Sequence, residues 1–301
     1  MRKVEKRKES SCWVSLGKGQ YKMVQQYLLA SDFDQTLSFN DSGVVLAELI
    51  GVPGFPDKVR GLAQINLVQQ GAELSYLILH DPEFRRVRSH HLLEAGKQIR
   101  LKHDVALFAK TLDTLADGYK FNFRVISAAP QEIIQSALEG IVPPENIHGT
   151  KFYYDPGNGE VKAIVRASAG WGKITVLEEL RAQLGISHDH IVYMGDGSSD
   201  LPVMMHVNQY DGLTIAVSEA EHITRIARRT VLSDNAMSVL VPVLEDVLRW
   251  ESSEIRRYFS SQGLTLREWG KTRTDLLTIA ESPEVTPAAS PAAMAAPTIN
   301  A

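Results

Sequence analysis

The feature that most constrains the fold is an alternation of short apolar runs with longer amphipathic segments through the middle of the chain. Runs at Tyr27–Ser31, Phe123–Ser127, His190–Met194 and Leu213–Val217 have the length and apolar character of buried strands. The segments between them carry apolar residues at helical spacing and end at glycines, as helices often do. Alternating strands and helices favour parallel strands joined by crossover helices, so the sequence predicts an α/β layered domain.

Two stretches interrupt this alternation. Residues 41–103 have apolar periodicity without a convincing strand, which predicts a helical insertion after the first strand. Residues 150–166 contain two β-prone runs that flank a glycine-bearing turn at 156–159, which predicts a β-hairpin.

Composition limits the class of protein. The chain has 301 residues, of which 44% are hydrophobic and 23% charged, which is typical of a globular protein. Its 32 basic and 36 acidic residues give a net charge of −4, so we expect no nucleic-acid partner. No apolar run approaches the length of a membrane span. The single cysteine, Cys12, excludes an intrachain disulfide and fits a reducing compartment, which favours a cytoplasmic location.

The two ends differ from the middle in composition. Residues 1–19 begin with a basic run that no apolar stretch follows, so we expect a flexible extension rather than a signal peptide. Residues 281–301 are rich in alanine and proline with almost no charge, which predicts a disordered tail. We further expect a helical extension over 251–280.

Two acidic motifs directly follow predicted strands. Residues 32–37 read DFDQTL, and residues 195–200 read GDGSSD. Ligands of parallel sheets bind beyond the carboxyl ends of the strands, where carboxylates that converge repel one another unless a cation lies between them. Oxygen ligands without a nearby cysteine or histidine cluster favour Mg²⁺ over zinc. A carboxylate at such a site can attack phosphorus, and a second one, two residues on, can transfer protons.

Two further motifs complete a recognisable order: Ser127 in SAAP (127–130) and Lys173 in GWGK (170–173). With them the chain resembles the haloacid dehalogenase-like phosphohydrolases over about residues 26–250, and most of all the branch that contains phosphoserine phosphatase. The resemblance implies a Rossmann-like core over 20–40 and 104–250, with a helical cap at 41–103. It also implies hydrolysis of a small phosphate ester through an aspartyl-phosphate, with Mg²⁺ as the cofactor.

The resemblance assigns an expected role to each motif residue. The expected catalytic residues are Asp32 as nucleophile, Asp34 as general acid and base, and Lys173 as the lysine that steadies nucleophile and phosphate. The expected phosphate or substrate contacts are Thr36, Ser127, Ala128 and Asp41. The expected Mg²⁺ ligands are Asp32, the main-chain carbonyl of Asp34, Asp196 and Asp200.

Structural interpretations of the same residues stay open at this stage. Ser127 would also suit the N-cap of the helix that follows it, and Asp200 that of the helix beginning at Leu201. Lys151 and Lys162 are alternatives to Lys173, although both fall in the predicted hairpin. Asp32 and Asp34 would also suit a turn as capping carboxylates.

The substrate is less constrained than the chemistry. Phosphoserine phosphatase carries a cap arginine for the substrate carboxylate, whereas the corresponding stretch here, residues 72–79, has none. This absence disfavours phosphoserine, which remains one alternative. Phosphoryl transfer to an acceptor alcohol is another, and a catalytically inactive phosphate-binding module is a third. The histidines at His188 and His190 precede a strand, so we expect them to lie away from the site and to take no part in its chemistry.

Overall fold

The sheet of this computed structural model has eight strands, and the structure describes residues 11–15, 21–65 and 68–266. The strands are β1 (Ser11–Ser15), β2 (Tyr21–Ser31), β3 (Tyr119–Pro130), β4 (Ile147–Tyr154), β5 (Val161–Arg166), β6 (Ile191–Gly195), β7 (Leu213–Ala216) and β8 (Arg229–Thr230). Their order is β5-β4-β3-β2-β6-β7-β8, with β1 paired to β2. The pairs from β4 through β3, β2, β6 and β7 to β8 are all parallel. This confirms the predicted α/β fold with a parallel sheet.

In the described part of the chain, the first nine helices lie in the connections between these strands, and the last two follow β8. They are α1 (Ser42–Leu49), α2 (Phe55–Gln64), α3 (Glu73–His80), α4 (Ser89–Gln98), α5 (Val105–Leu112), α6 (Gln131–Ala137), α7 (Trp171–Leu184), α8 (Leu201–Gln209), α9 (Glu221–Thr224), α10 (Leu240–Asp246) and α11 (Ser252–Ser261). The described residues of the predicted insertion, 41–103, contain α1 to α4 and no strand. Its two ends meet through a bridge between Ser38 and Leu101. Within the described ranges, no helix is long and apolar enough to cross a membrane.

Helices cover both faces of the sheet, because side chains of a strand alternate between its faces. Leu28 and Ala30 of β2 join a buried cluster with residues of α7 and α8 on one face. On the other face Phe108 of α5 packs edge to face on Phe123 of β3, with ring centroids 5.5 Å apart. Burial of both faces explains why the central strands read as nearly continuous apolar runs.

The structure agrees with the predicted hairpin but differs from the prediction near the start of the chain. β4 and β5 pair antiparallel around the turn at 156–159, as predicted. The expected flexible extension over 1–19 needs correction, because Ser11–Ser15 pairs antiparallel with the start of β2. This short run was hidden in a segment of basic composition, and pairing with a strand close along the chain supplies its hydrogen bonds. Residues 1–10, 16–20 and 267–301, including the predicted tail, lie outside the described residues.

Gly149 of β4 allows the backbone that closes β3 to pass unusually close. A Cβ at this position would lie 2.6 Å from the Cα of Gln131 and 2.8 Å from the carbonyl oxygen of Ala129. Both are backbone atoms that cannot rotate away. The β3–α6 junction, which follows Ser127, therefore depends on a residue without a side chain at position 149.

Gly149→Ala is expected to lower the free energy of unfolding by about 1–3 kcal/mol, because overpacking forces the backbone to shift. Gly61→Ala is the matched control, since a Cβ in the middle of α2 meets nothing within 4 Å. It should raise stability by up to about 1 kcal/mol through helix propensity. Urea unfolding of the two variants measures both effects, and equal stabilities would contradict the close approach.

Candidate active site

The first acidic motif begins where the central strand β2 ends. The backbone N–H of Asp32 donates to the carbonyl of Met194 at 2.9 Å, which extends the pairing with β6 by one residue. The Asp32 carboxylate is buried, and its Oδ1 accepts a hydrogen bond of 2.7 Å from the N–H of Phe33. Phe33 is fully buried, so it anchors the loop that follows.

A tight turn after Phe33 places the rest of this motif. The Phe33 carbonyl accepts hydrogen bonds from the N–H groups of Thr36, Leu37 and Ser38. Gln35 has a φ of 54°, in the left-handed region that residues other than glycine seldom adopt. The turn brings the Thr36 hydroxyl to 3.3 Å from Oδ1 of Asp196, so the two acidic motifs meet.

Asp34 is held by the first helix of the insertion. Its Oδ1 accepts from both the backbone N–H of Ser42, at 3.0 Å, and the Ser42 hydroxyl, at 2.6 Å. Burial, and then the nearby charge of Asp41, raise the pKa of Asp34 well above its ordinary value despite these donors. A carboxyl in this position retains its proton more readily than a solvated aspartate.

Lys173 connects the two acidic motifs. Its fully buried ammonium lies 2.9 Å from Oδ2 of Asp32 and 2.6 Å from Oδ1 of Asp200. Burial alone would lower the pKa of Lys173, but the charges of Asp200 and Asp32 outweigh it and raise the pKa. Lys173 lies in the first turn of α7, which has Gly170 as its N-cap and Gly172 within the same turn. A Cβ on Gly172 would lie 2.1 Å from the Ala167 carbonyl oxygen, so this turn requires glycine.

Asp200 is hydrogen-bonded through both of its oxygens. Oδ1 accepts from Lys173 and, at 2.6 Å, from the Tyr193 hydroxyl. Oδ2 accepts from the N–H groups of Asp196 and Gly197 at 3.2 and 3.1 Å. The carboxylate therefore shapes the loop before it and makes no side-chain cap of α8.

Three carboxylates converge at this edge of the sheet. Asp32, Asp196 and Asp200 each offer an oxygen, and these atoms lie within 4.8 Å of one another. Burial and the charge of Asp200 raise the pKa of Asp32 to about 6, although Lys173 opposes the shift. Burial and the charges of Asp32 and Asp200 raise the pKa of Asp196 to about 8. The cluster carries more negative charge than Lys173 balances, so it favours a bound cation.

Ser127 and Ala128 lie at the same edge on the neighbouring strand. Ser31 pairs with Val125, so Asp32 and Ser127 follow at the carboxyl ends of adjacent parallel strands. Ser127 is buried, and its hydroxyl accepts a 3.3 Å hydrogen bond from the N–H of Ala129. It makes no cap of α6, whose N-cap is Pro130.

The remaining alternatives are also resolved by position. Lys151 and Lys162 are exposed on the hairpin, and Lys162 pairs there with Glu160 at 3.0 Å. Asp41 is the N-cap of α1, since its Oδ1 accepts from the N–H groups of Gly43 and Val44. A contact of Asp41 with substrate stays a prediction.

Three residues near the motifs were not predicted. Tyr193 positions Asp200, Ser42 holds Asp34, and Lys102 is a partly buried cation whose pKa is lowered by burial against the attraction of Asp196. A tyrosine in an otherwise aliphatic strand was the one available signal for Tyr193, because a buried hydroxyl needs a partner. Nothing in the local pattern marks Ser42 as the partner of Asp34, and the partner of Lys102, Asp196, lies far along the chain.

The segment between α2 and α3 approaches this edge from the insertion. The side-chain amide of Gln69 donates to the Ala169 carbonyl at 2.7 Å. A Cβ on Gly71, whose φ is 88°, would lie 2.9 Å from the Cβ of Ser199 and 3.2 Å from that of Ala128. Glycine at position 71 thus allows the insertion to contact the core beside both SAAP (127–130) and GDGSSD (195–200).

Comparison with solved structures shows the same fold in phosphatases. A substrate-bound phosphoserine phosphatase has 18% identity and a TM-score of 0.58, covering 72% of this chain and 97% of its own. A phospho-aspartyl intermediate analogue of phosphoserine phosphatase has 20% identity and a TM-score of 0.57, covering 71% and 97%. A HAD family hydrolase from Salmonella enterica serovar Typhi has 16% identity and a TM-score of 0.57, covering 73% and 71%.

A search of curated proteins finds no match. The model of the haloacid dehalogenase-like hydrolase family matches residues 29–205, which is more than half of the chain and contains all four motifs. The chain therefore belongs to the haloacid dehalogenase-like hydrolases.

Proposed function

We propose that this protein is a Mg²⁺-dependent phosphatase that hydrolyses a small phosphate monoester through an aspartyl-phosphate on Asp32. The observation that carries the proposal is the convergence of Asp32, Asp196 and Asp200 around the buried ammonium of Lys173. Family membership and the fold of solved phosphoserine phosphatases support the reaction class.

The donor set fits Mg²⁺. Asp32 and Asp196 offer carboxylate oxygens, the ligands that this hard cation prefers. Burial and then the neighbouring carboxylates raise the pKa of each, and a bound cation would offset both effects. Asp200 already has four donors on its two oxygens, which favours a supporting role for it over a direct one. A bound Mg²⁺ would neutralise charge on the phosphate, and Asp34 would add its main-chain carbonyl, as the family resemblance implies.

The side chains of the chain itself account for the phosphoryl transfer. Phe33 and Lys173 each donate to one oxygen of Asp32, so the carboxylate is fixed before substrate arrives. An Asp32 oxygen forms the bond to phosphorus, and the ester P–O bond breaks with its electron pair going to the leaving alcohol. The Lys173 ammonium and the Ser127 hydroxyl are the proposed contacts of the phosphate oxygens.

Asp34 is the proposed proton donor for the leaving alcohol. Burial and the charge of Asp41 raise its pKa, which favours the protonated carboxyl that a general acid needs. Once it has given up this proton, the carboxylate accepts one from the water that attacks the aspartyl-phosphate, and inorganic phosphate is released. Ser42 orients Asp34 for both steps from the first turn of α1.

We propose that α1 to α4 form the cap that closes over the substrate. The contacts of Gln69 and Gly71 with the core lie beside Ala128 and Ser199, at the carboxyl edge of the sheet. Within this cap, burial raises the pKa of Glu73, and the charge of Asp41 adds to the shift. The two carboxyl groups are therefore close enough to interact. We propose that this cap contributes to the selection of the substrate.

Asp32→Asn should abolish phosphate release from p-nitrophenyl phosphate, with a loss on the order of 10⁴-fold or more in kcat. Addition of EDTA to the wild-type protein should do the same. Asp113→Asn is the matched control, since Asp113 is exposed at the end of α5 and should leave turnover unchanged. Wild-type turnover by Asp32→Asn would contradict the assignment of the nucleophile.

Asp34→Asn should separate the two halves of the reaction. An alkyl phosphate needs a proton on its leaving group, so its turnover should fall by about 10²–10⁴-fold from the first cycle. p-Nitrophenolate leaves without a proton, so rapid-mixing kinetics should show a burst of p-nitrophenol followed by slow hydrolysis of the intermediate. Equal losses in the first turnover of both substrates would exclude Asp34 as the general acid.

The metal-free protein should become less stable as the pH rises from 5 to 8. Asp32 and Asp196 have folded-state pKa values of about 6 and 8 against an ordinary 3.8, so the folded chain binds more protons than the unfolded chain in this range. Stability is then lost as pH rises. In EDTA, we expect urea unfolding to show a decrease on the order of 5 kcal/mol.

Excess Mg²⁺ should remove most of this dependence, because it offsets the same charges. Asp196→Asn should also reduce the slope, whereas Asp57→Asn, at an exposed position of α2, should leave it unchanged. A metal-free stability that stays flat from pH 5 to 8 would contradict the raised pKa values.

A further inference from the structure

A second group of metal-ligating side chains lies at the opposite edge of the sheet from the acidic site. Glu178 extends from α7, His188 from the turn before β6, and His206 from α8. β6 begins at Ile191 and ends at Gly195, next to Asp196. His188 therefore precedes the strand whose far end carries the acidic motif, and the two groups of side chains are separated by the length of β6.

The three side chains converge through the atoms that bind metals. Nε2 of His206 lies 2.8 Å from Oε1 of Glu178, and Nε2 of His188 lies 3.2 Å from Oε2 of the same carboxylate. One ligand atom from each residue lies within 4.8 Å of the other two. All three side chains are partly buried, with 20–34% of their surface exposed, so solvent and ions can reach them.

Aromatic packing orients the two imidazoles. The His188 ring stacks on Tyr210, with centroids 4.4 Å apart and planes inclined by 25°. His206 meets the same ring edge to face at 5.2 Å. Tyr210 directly follows α8, so its ring restricts the rotation of both histidines at once. Restricted ligands lose less conformational entropy when they bind an ion.

We propose that Glu178, His188 and His206 bind a divalent first-row transition metal of the Zn²⁺ type. Two imidazoles and one carboxylate are ligands that suit Zn²⁺, whereas Mg²⁺ prefers oxygen donors alone. A tetrahedral zinc with bonds of about 2.0–2.1 Å spaces its ligand atoms about 3.3 Å apart, which lies within the 4.8 Å that separates one ligand atom of each of these residues from the others. Partial exposure leaves a fourth position for water.

Arg181 is the competitor of such an ion. Its Nε lies 2.8 Å from Oε2 of Glu178, and its Nη1 donates to the Ile186 carbonyl at 3.0 Å. Arg181, His206 and His188 together hold the pKa of Glu178 below its ordinary value against the effect of burial. A metal must share Glu178 with the guanidinium, so the affinity of the site is set partly by Arg181.

The first experiment is calorimetric titration of the full-length protein with ZnCl2 after treatment with EDTA, in buffer that contains excess MgCl2. Excess Mg²⁺ competes with Zn²⁺ for the carboxylate oxygens of the acidic site and does not compete for imidazoles. We expect the wild-type protein to bind one equivalent of Zn²⁺ that His188→Ala and His206→Ala each lose, with affinity lower by more than about 100-fold. His222→Ala, at an exposed position of α9, is the matched control and should bind like wild type.

Arg181→Gln distinguishes a metal site from a purely structural network. Removal of the guanidinium frees Oε2 of Glu178, so Zn²⁺ should bind more tightly than in wild type. If these side chains only linked α7 to α8 through hydrogen bonds, Arg181→Gln would not increase the affinity for Zn²⁺. Co²⁺ added to the wild-type protein should give the visible absorption of a low-symmetry imidazole complex, and this signal should vanish in His206→Ala.

If a histidine variant fails to fold, the Co²⁺ spectrum of the wild-type protein still tests the proposal, because it requires no variant. The proposal is overturned if the wild-type protein in Mg²⁺ buffer binds no Zn²⁺ and gives no Co²⁺ spectrum. It is equally overturned if His188→Ala and His206→Ala both bind Zn²⁺ with wild-type affinity. Phosphatase activity is not part of the readout, so failure of the proposed function leaves this test intact.

Discussion

The site depends on one buried ammonium group. Lys173 lies within 3 Å of both Asp32 and Asp200, and all three are buried at the point where two strands and a helix meet. Removing one partner of such a group leaves an uncompensated buried charge, which costs about 3–5 kcal/mol. Electrostatic attraction therefore adds to the packing of the apolar core in holding together the ends of β2 and β6 and the start of α7.

This constraint explains why the sequence could predict which of these side chains lie close together. Parallel strands place their carboxyl ends at one edge, so DFDQTL after β2 and GDGSSD after β6 had to meet once the strands were recognised. The strands were recognisable because burial on both faces requires apolar residues at nearly every position. Lys173 was harder to predict, because a lysine near a helix start is usually solvated, and only its burial distinguishes it from Lys151 and Lys162.

The residues that escaped prediction share a physical property. Tyr193, Ser42 and Lys102 act through partners whose place is set by the tertiary fold, and neither spacing nor composition records such contacts. β1 was missed although Cys12, Trp13 and Val14 form a short apolar run, because the basic residues around that run dominate the composition of the segment. The cluster around Glu178 follows the same rule, because its ligands are separated by 10 and 28 residues along the chain.

Helices α7 and α8 connect the acidic site to the Glu178 cluster at the other end of β6. α7 carries Lys173 in its first turn and Glu178 further along, while α8 follows Asp200 and carries His206 towards its end. An ion held by Glu178 and His206 would therefore join the two helices whose starts position the lysine and its partner. Because Lys173 and Asp200 are already fixed by their own hydrogen bonds, such an ion would add stability to the folded core without changing the geometry of the chemistry. If both sites bind the cations proposed for them, the hard carboxylate oxygens at one edge and the imidazoles at the other would select different cations.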